Sequence, residues 1–541
     1  MPGRPQHDTR LLASLATVVA VLSFVAFQQR DQVLLSGDAV AHIGIARRVF
    51  DSLTPGPFQL GTVWLPFQHL LTIPFLVSDE MWRSGVGGSI PSMLGYVLAV
   101  VGIFRLTRSV LESSVLARYA RPAAWFSATV LAANPNLIYV QATALNEALY
   151  LAGFIWGVAF LADFARLSSE EQVADAARAL ERCAMVLAAA ILTRYDGWFL
   201  TIACGLAVLG VLWTRPGWSA LLRPRQRRMR RALIHFVLLC SLTPGLWMAY
   251  NFGIFRDPLE FARGPYSARA IMQRTIRPGE PFHPGYQSPR VAAIYFLKCA
   301  KLNMAEGRWE PWLLLLAVGG ALVSILARRW VWVLLWLPLP FYALSVAYGA
   351  VPIFIPAWWP FSYYNTRYGL QLLPAIAAFS AVCLAFLLTM NEQRRWKIAV
   401  PVILAAVVVG SYASVWSATP VCLREVIANS RTRIPYEKAL SRELEKLPPT
   451  ARLLMFTGEH IDALRRAGIP LRRVVNESNF GYWQPALDDL TEHVDYVIAM
   501  EGGPVGASAE RHRSELETVA VITSLGQPRT TIYKTHPPIA R

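Results

Sequence analysis

Long apolar runs separated by short polar loops dominate the chain up to about residue 420. A transmembrane helix needs about 20 apolar residues to cross a hydrocarbon core about 30 Å thick. The pattern predicts eleven such helices, at residues 11–28, 87–106, 122–140, 147–165, 183–193, 197–213, 232–251, 309–327, 331–348, 368–389 and 398–416. We therefore expect an all-α polytopic membrane protein.

One further apolar stretch, WLPFQHLLTIPFLVS at residues 64–78, does not fit this description. It contains Pro66 and Pro74. At about 1.5 Å per residue it reaches only about 22 Å as a helix, which is shorter than a bilayer core. We therefore predict an interfacial or half-inserted helix here.

The arginine-rich loops predict the orientation, because cytoplasmic loops of membrane proteins carry an excess of Lys and Arg. If residues 64–78 do not span the membrane, most loop arginines fall on one side. They are Arg105, Arg108, Arg118, Arg121, Arg166, Arg178, Arg182, the cluster RPRQRRMRR at residues 223–231, Arg328, Arg329, Arg394 and Arg395, together with Lys397. We expect a cytoplasmic N-terminus, an uncleaved first helix and an external C-terminus.

Three segments are then external: residues 29–85, residues 252–308 and a tail at residues 420–541. The tail alternates charged helical stretches such as YEKALSRELEKL with short β-rich runs such as VDYVIAM and TTIYKT. This alternation predicts a small α/β domain, which follows a transmembrane domain at residues 1–419.

Composition agrees with a membrane protein and excludes some functions. The chain is 54% hydrophobic and 16% charged, with a mean hydropathy of +0.36, values that are rare in water-soluble proteins. Its net charge of +17 resides in the loop arginines, so no nucleic-acid partner is expected. The six cysteines have no CxxC spacing, and no His/Asp cluster has metal-ligand spacing. We predict no metal site and no cofactor, although the requirement for a divalent ion stays open.

Four groups of ionisable residues lie at the external ends of the predicted spans. A charge at the membrane centre costs about 2.5 to 3.5 kcal/mol on insertion scales, so these positions are informative. The groups are Asp38 with His42 in LLSGDAVAHIG, Glu147 in QATALNEALYL, Arg194 with Asp196 in TRYDGW, and Arg367 with Tyr364 in YYNTRYGLQLLPA. They share one side only in the eleven-span topology, which indicates a functional cavity.

Each group also has a purely structural explanation. Asp38 could cap the helix that follows it, and Glu147 suits the positive end of its helix dipole. Arg194 and Asp196 could form an ion pair within a turn. Arg367 could anchor its helix at the interface, although arginine is also suited to bidentate binding of phosphate.

Together these motifs resemble the GT-C glycosyltransferases, above all bacterial members of glycosyltransferase family 39, which are related to protein O-mannosyltransferases and to the aminoarabinose transferases of lipid A. The resemblance is carried by the first-loop aspartate, the short proline-containing helix and the stretches ANPNLIYVQATALNEALYL, LTRYDGWFL and NTRYGLQLLPA, and it covers most of residues 11–416.

The resemblance implies inverting transfer of a sugar from a polyprenyl-phosphate donor to a protein, glycan or lipid acceptor. The reaction would occur on the periplasmic face of a bacterial inner membrane. Asp38 would be the general base, Glu147 a second acid, and Arg367 a group near the donor phosphate.

Two positions depart from the family pattern. Ala39 follows Asp38 where many relatives have a second acid, and Trp64 stands where others have a basic residue. Residues other than Arg367 are therefore also candidates for binding the donor phosphate. The additional candidates for substrate binding are His42, Arg47, His69 and Arg83.

Two other classes of function are compatible with a polytopic chain. A transporter or flippase for a lipid-linked glycan precursor predicts charged or broken-helix sites near the bilayer midplane and often repeated halves, and the sequence shows neither. A non-catalytic assembly or sensor protein predicts that the tail, rather than Asp38, carries the function.

Overall fold

The computed structural model describes residues 5–213, 227–276, 279–327, 330–458 and 460–536. Helices make up most of the described chain before the tail. They are α1 (Pro5–Gln28), α2 (Gly37–Arg48), α3 (Phe67–Leu76), α4 (Asp79–Ser84), α5 (Val86–Glu112), α6 (Ala120–Ala132), α7 (Pro135–Gln141), α8 (Glu147–Ser169), α9 (Val173–Ile191), α10 (Asp196–Trp213), α11 (Arg227–Phe255), α12 (Glu260–Arg263), α13 (Ala268–Thr275), α14 (Pro289–Met304), α15 (Trp312–Leu326), α16 (Pro338–Tyr348), α17 (Leu373–Met390) and α18 (Arg394–Ser417).

Nine helical segments within the described ranges are long and apolar enough to cross a membrane. They are Gln6–Gln28, Val86–Glu112, Glu147–Ser169, Asp196–Trp213, Arg227–Phe255, Gly307–Leu326, Val331–Tyr348, Thr366–Met390 and Arg394–Ser430. Each coincides with a predicted span, so the chain is a multi-pass membrane protein. The ten-residue helix α3 is too short to cross, as its sequence predicted.

The two remaining predicted spans have a different form. Residues 122–140 are split into α6 and α7, because Asn134 accepts the N–H of Leu137 and caps α7 immediately before Pro135. Residues 183–193 are the end of α9, whose first ten residues carry four charged side chains. The total of eleven crossings therefore stays a prediction.

The predicted cytoplasmic loops meet through ion pairs. Asp8 near the N-terminus binds Arg121 at 2.8 Å, and Arg118 lies 3.1 Å from Glu392. These contacts join segments that the predicted topology places on one side of the membrane. Four of the arginines predicted to be cytoplasmic lie outside the described residues: Arg223, Arg225, Arg328 and Arg329.

The tail forms the predicted α/β domain around a five-stranded sheet. Its strands are β1 (Leu453–Met455), β2 (Val474–Val475), β3 (Tyr496–Met500), β4 (Leu516–Ile522) and β5 (Thr530–Thr535), in the order β2-β1-β3-β5-β4. β1 is parallel to β2 and β3, whereas β5 is antiparallel to β3 and β4. Its helices are α19 (Val421–Ser430), α20 (Arg433–Leu444), α21 (Ile461–Ala467), α22 (Trp483–Asp488), α23 (Leu490–His493) and α24 (Pro504–Arg511).

The tail rests on the first predicted external segment, residues 29–85. The carboxylate of Asp51 accepts the backbone N–H of Leu471 at 3.3 Å. Gln59 donates to the carbonyl oxygen of Ser478 at 3.0 Å. The α/β domain is thus bound directly to the segment that carries Asp38.

Close packing of α5 on α8 positions Glu147, which begins α8. Gly95 of α5 lies against the α8 backbone, where an added Cβ would be 2.6 Å from both Cα and N of Leu149. Small residues allow this close approach in membrane helices, whose association depends on van der Waals contact.

Replacing this glycine should separate the two helices. We expect Gly95→Ala to destabilise the protein by about 1 to 3 kcal/mol, because the methyl group overpacks a rigid backbone contact. The apparent Tm of the full-length protein in detergent measures the effect. Gly205→Ala in α10 is the matched control, since an added Cβ there meets nothing within 4 Å. Equal Tm values for the two variants would contradict the prediction.

Candidate functional site

Asp38 lies in the first turn of α2 with its carboxylate turned toward the neighbouring helices. The helix begins at Gly37 and its N-cap is Ser36, so Asp38 is not the cap. Its Oδ2 accepts a hydrogen bond from Nη2 of Arg367 at 2.5 Å. The Asp38 side chain is 38% exposed, which leaves it accessible to a ligand.

Glu147 is the first residue of α8 and is almost completely buried, with a side chain 1% exposed. Its Oε1 accepts from Nε of Arg367 at 2.8 Å and from Nη1 of Arg194 at 3.0 Å. Its Oε2 has no hydrogen-bond partner among the described residues. A buried carboxylate of this kind requires compensating positive charge, and here it joins the two arginines.

Arg194 is held on every side in the turn between α9 and α10. Its Nε lies 3.1 Å from Asp196, its Nη1 donates to Asn146 at 3.0 Å, and its Nη2 donates to the Tyr342 hydroxyl at 3.0 Å. The Tyr342 hydroxyl in turn donates to Asp196 at 2.7 Å. Burial alone lowers the pKa of Arg194, but Asp196 and the other neighbouring groups raise it well above its ordinary value. The guanidinium is therefore a fixed positive charge beside Glu147.

Arg367 lies in the 3₁₀ turn Thr366–Leu372 that leads into α17. Its guanidinium carbon is 5.3 Å from the centre of the Tyr368 ring, a cation–π arrangement. Nε and Nη2 bind the two acids, whereas Nη1 makes no hydrogen bond within the described part of the chain and lies 4.0 Å from Glu425. Arg367 therefore retains N–H groups that can bind an anion.

Glu425 is a member of this cluster that sequence reasoning missed. It belongs to α19 in the tail, and its carboxylate accepts the backbone N–H groups of Asn365 at 2.8 Å and Thr366 at 2.7 Å. It also accepts the Thr366 hydroxyl at 2.5 Å. The available signal was a charged pair, Arg424 and Glu425, inside the mainly apolar run VCLREVIA, but the distant partners of Glu425 cannot be read from spacing.

His42 and His69 form a buried pair beside the ion pairs. Nδ1 of His42 lies 2.8 Å from Nε2 of His69, and Nδ1 of His69 has no partner within the described ranges. Burial, followed by the charges of Arg367 and Arg194, lowers the pKa of His42 to about 3. Burial also lowers the pKa of His69 well below its ordinary value. Both rings are therefore neutral at physiological pH.

The structure brings most of the candidate residues together and separates a few. Arg47 binds Asp51 at 2.8 Å and Asp79 at 2.5 Å, and Arg83 donates to the carbonyl of Arg466 in the tail at 3.3 Å. In the described part of the chain, neither arginine forms a hydrogen bond or ion pair with the cluster. The residues that do converge are Asp38, Glu147, Arg194, Asp196 and Arg367, with His42 and His69 behind them and the exposed Tyr364 two residues before the Thr366 turn.

The cluster combines four carboxylates with two guanidinium groups. Among the residues that the structure describes, no group of three or more His, Cys, Asp and Glu side chains has the arrangement of a metal site. Chemically, the cluster presents one accessible carboxylate beside an arginine with unused N–H donors. This combination can accept a proton and bind an anion at neighbouring positions.

Comparisons with known proteins identify the architecture. No family model matches the sequence, and no curated protein matches it. The crystal structure of ArnT from Cupriavidus metallidurans bound to undecaprenyl phosphate is similar, with a TM-score of 0.51, 15% identity and coverage of 98% of both chains. Archaeal oligosaccharyltransferase AglB from Archaeoglobus fulgidus, in complex with an inhibitory peptide and a dolichol-phosphate, gives a TM-score of 0.49 at 13% identity, over 92% of this chain and 69% of that chain. From its transmembrane helices to its small C-terminal sheet, the chain has the GT-C fold.

Proposed function

We propose that this protein is a membrane glycosyltransferase that moves a sugar, with inversion, from a polyprenyl-phosphate donor to an acceptor hydroxyl on the external face. Asp38 is the general base. The observation that carries the proposal is the difference in exposure within the cluster. The Asp38 side chain is 38% exposed, against 1% for Glu147, 9% for Asp196 and 7% for Glu425.

The proposed reaction needs one base and no separate general acid. Asp38 takes the proton of the acceptor hydroxyl while the hydroxyl oxygen attacks the anomeric carbon. The bond from that carbon to the phosphate oxygen breaks, and the lipid phosphate leaves with the negative charge. A glycosidase, by contrast, needs a second carboxyl group to protonate a poor leaving group.

The leaving phosphate needs positive charge near the base, and Arg367 provides it. Its unused N–H groups can bind the phosphate while Nη2 holds Asp38. The buried Glu147, which also pairs with Arg194, fixes the position of Arg367. The undecaprenyl phosphate bound to the structurally similar ArnT supports this donor class; the sugar and the acceptor are open.

The position of the acids favours a transferase over a transporter. Glu147 and Asp196 are the first residues of α8 and α10, and Asp38 precedes both in a helix outside the candidate spans. A transport site is expected near the bilayer midplane instead. With the orientation predicted from the loop arginines, the cluster faces the periplasm of a bacterial inner membrane.

We assign His42 and His69 to substrate binding as neutral groups. A neutral imidazole can donate or accept a hydrogen bond without adding charge to the site. His42 stands one helical turn after Asp38 in α2, which places it beside the proposed base.

Asp38→Asn should abolish transfer. The amide cannot accept the proton of the acceptor, and removal of a general base costs about 10²- to 10⁴-fold in rate. Transfer of labelled sugar from polyprenyl-phosphate donors in membranes, at matched expression, measures the change. Glu80→Gln is the control, since Glu80 is an exposed acid of the same external segment outside the cluster. Near-normal turnover of Asp38→Asn would refute the assignment.

Acidification from pH 7 to 5 should lower stability through His42. An unfolded histidine takes up a proton near pH 6.5, whereas folded His42 does so only near pH 3. The unfolded state therefore binds more protons below pH 6.5, and the free energy of unfolding falls by up to about 1.4 kcal/mol per pH unit for such a histidine.

The apparent Tm of the full-length protein in detergent, measured from pH 7 to pH 5, tests this expectation. His42→Gln keeps a hydrogen-bonding side chain but removes the titration, so its Tm should depend less steeply on pH. Identical slopes for the variant and the wild type would show that His42 is protonated in the folded state.

A further inference from the structure

The backbone that carries Arg367 lacks a local cap. Asn365 precedes the 3₁₀ turn with φ of 57° and ψ of 30°, and its side chain makes no capping bond. Its Nδ2 instead donates to the carbonyl of Pro352 at 2.9 Å. The first N–H groups of a helical turn have no partner within it and must find one elsewhere. In a buried segment an unpaired N–H group is strongly destabilising.

Glu425 supplies the missing cap from the tail. Each carboxylate oxygen accepts one of two consecutive backbone N–H groups, those of Asn365 and Thr366, and Oε2 also accepts the Thr366 hydroxyl. A carboxylate at this end of a helical turn is also favoured by the turn's dipole. These three bonds fix the backbone immediately before Arg367.

Glu425 can define that position because its own helix is fixed on both sides. The backbone N–H of Cys422 donates to Asn136 Oδ1 of α7 at 2.9 Å. Two residues further along, Arg424 forms an ion pair with Glu306, which follows α14. Thus α19 is bound to two separate parts of the transmembrane domain.

The tail also contacts the backbone close to Asp38, the carboxylate that Arg367 binds. Arg433 at the start of α20 donates to the carbonyl oxygen of Leu35 at 2.8 Å, three residues before Asp38. Two consecutive tail helices therefore contact the backbone on both sides of the bond between Asp38 and Arg367.

We propose that Glu425 is a positioning residue that sets the Arg367 guanidinium against Asp38 and Glu147, so that residues 420–541 complete the site. The inference rests on the proposed transferase function. Glu425 acts through the Asn365–Thr366 backbone and through its charge, 4.0 Å from Nη1 of Arg367. Loss of the cap shifts Arg367 relative to the reacting groups, and displacements of about 1 Å in such sites can cost about 100-fold in rate.

Glu425→Gln is the primary test. The amide retains one acceptor oxygen but turns its NH₂ group toward a backbone N–H, which replaces a hydrogen bond with two opposed donors. We expect kcat to fall by roughly 10-fold or more, with a smaller change in KM. Thr366→Val removes only the hydroxyl bond and should cause a smaller loss.

Glu437→Gln provides the matched control. Glu437 is also a buried tail glutamate, 0% exposed, on the next helix, and it accepts from His460 at 2.8 Å rather than from the site. If the tail merely needed its buried acids for stability, both variants would lose activity together. Equal kcat values for Glu425→Gln and Glu437→Gln would overturn the proposal.

A double-mutant cycle tests whether Glu425 acts through Arg367. Once Arg367→Lys has removed the bidentate guanidinium, Glu425→Gln should have little further effect on kcat. If the two substitutions lowered kcat by factors that multiply in the double variant, Glu425 would act independently of Arg367, contrary to the proposal.

A second readout needs no transferase activity. In the full-length protein, hydrogen exchange of the peptide that contains Asn365 and Thr366 should be faster in Glu425→Gln and unchanged in Glu437→Gln. Unchanged exchange in both variants would refute the cap itself. If the wild type transferred no sugar from any polyprenyl-phosphate donor while exchange responded as expected, the proposed function would fail and the cap would stand.

Discussion

The site depends on one guanidinium group, that of Arg367, which is shared by carboxylates from different parts of the chain. Asp38 comes from the first predicted external segment, Glu147 from the start of α8 and Glu425 from the tail. Buried charges are costly unless they are paired, so the buried carboxylate of Glu147 needs the guanidinium groups of Arg367 and Arg194. The contacts that stabilise this buried charge are therefore the same contacts that set the geometry of the proposed site.

Much of this arrangement is readable from the sequence because it follows from hydropathy. Within the described ranges, the apolar windows located nine helices that satisfy the requirements for a span. Charges near the ends of the predicted spans pointed to Asp38, Glu147, Arg194 and Arg367. The criterion works since a charge inside hydrocarbon is penalised, which concentrates ionisable residues at helix termini. The same reasoning located the α/β tail from its alternating pattern.

The sequence did not reveal the contacts that depend on tertiary packing. Spacing could not show that Asn134 interrupts residues 122–140, nor that Ser36 rather than Asp38 is the N-cap of α2. Glu425 escaped notice because its partners are backbone N–H groups, which leave no signature in composition. Arg83 was a reasonable phosphate ligand by charge alone, yet the fold places it against the tail.

The bond from Cys422 to Asn136 has a consequence for biogenesis. Helix α7 is synthesised early, whereas the residue that anchors the tail to it emerges only after the last long apolar helix. The arginine turn consequently stays uncapped until the tail has folded against α7. Under the proposed function, a nascent chain would be inactive toward lipid-linked sugars until this last step of maturation.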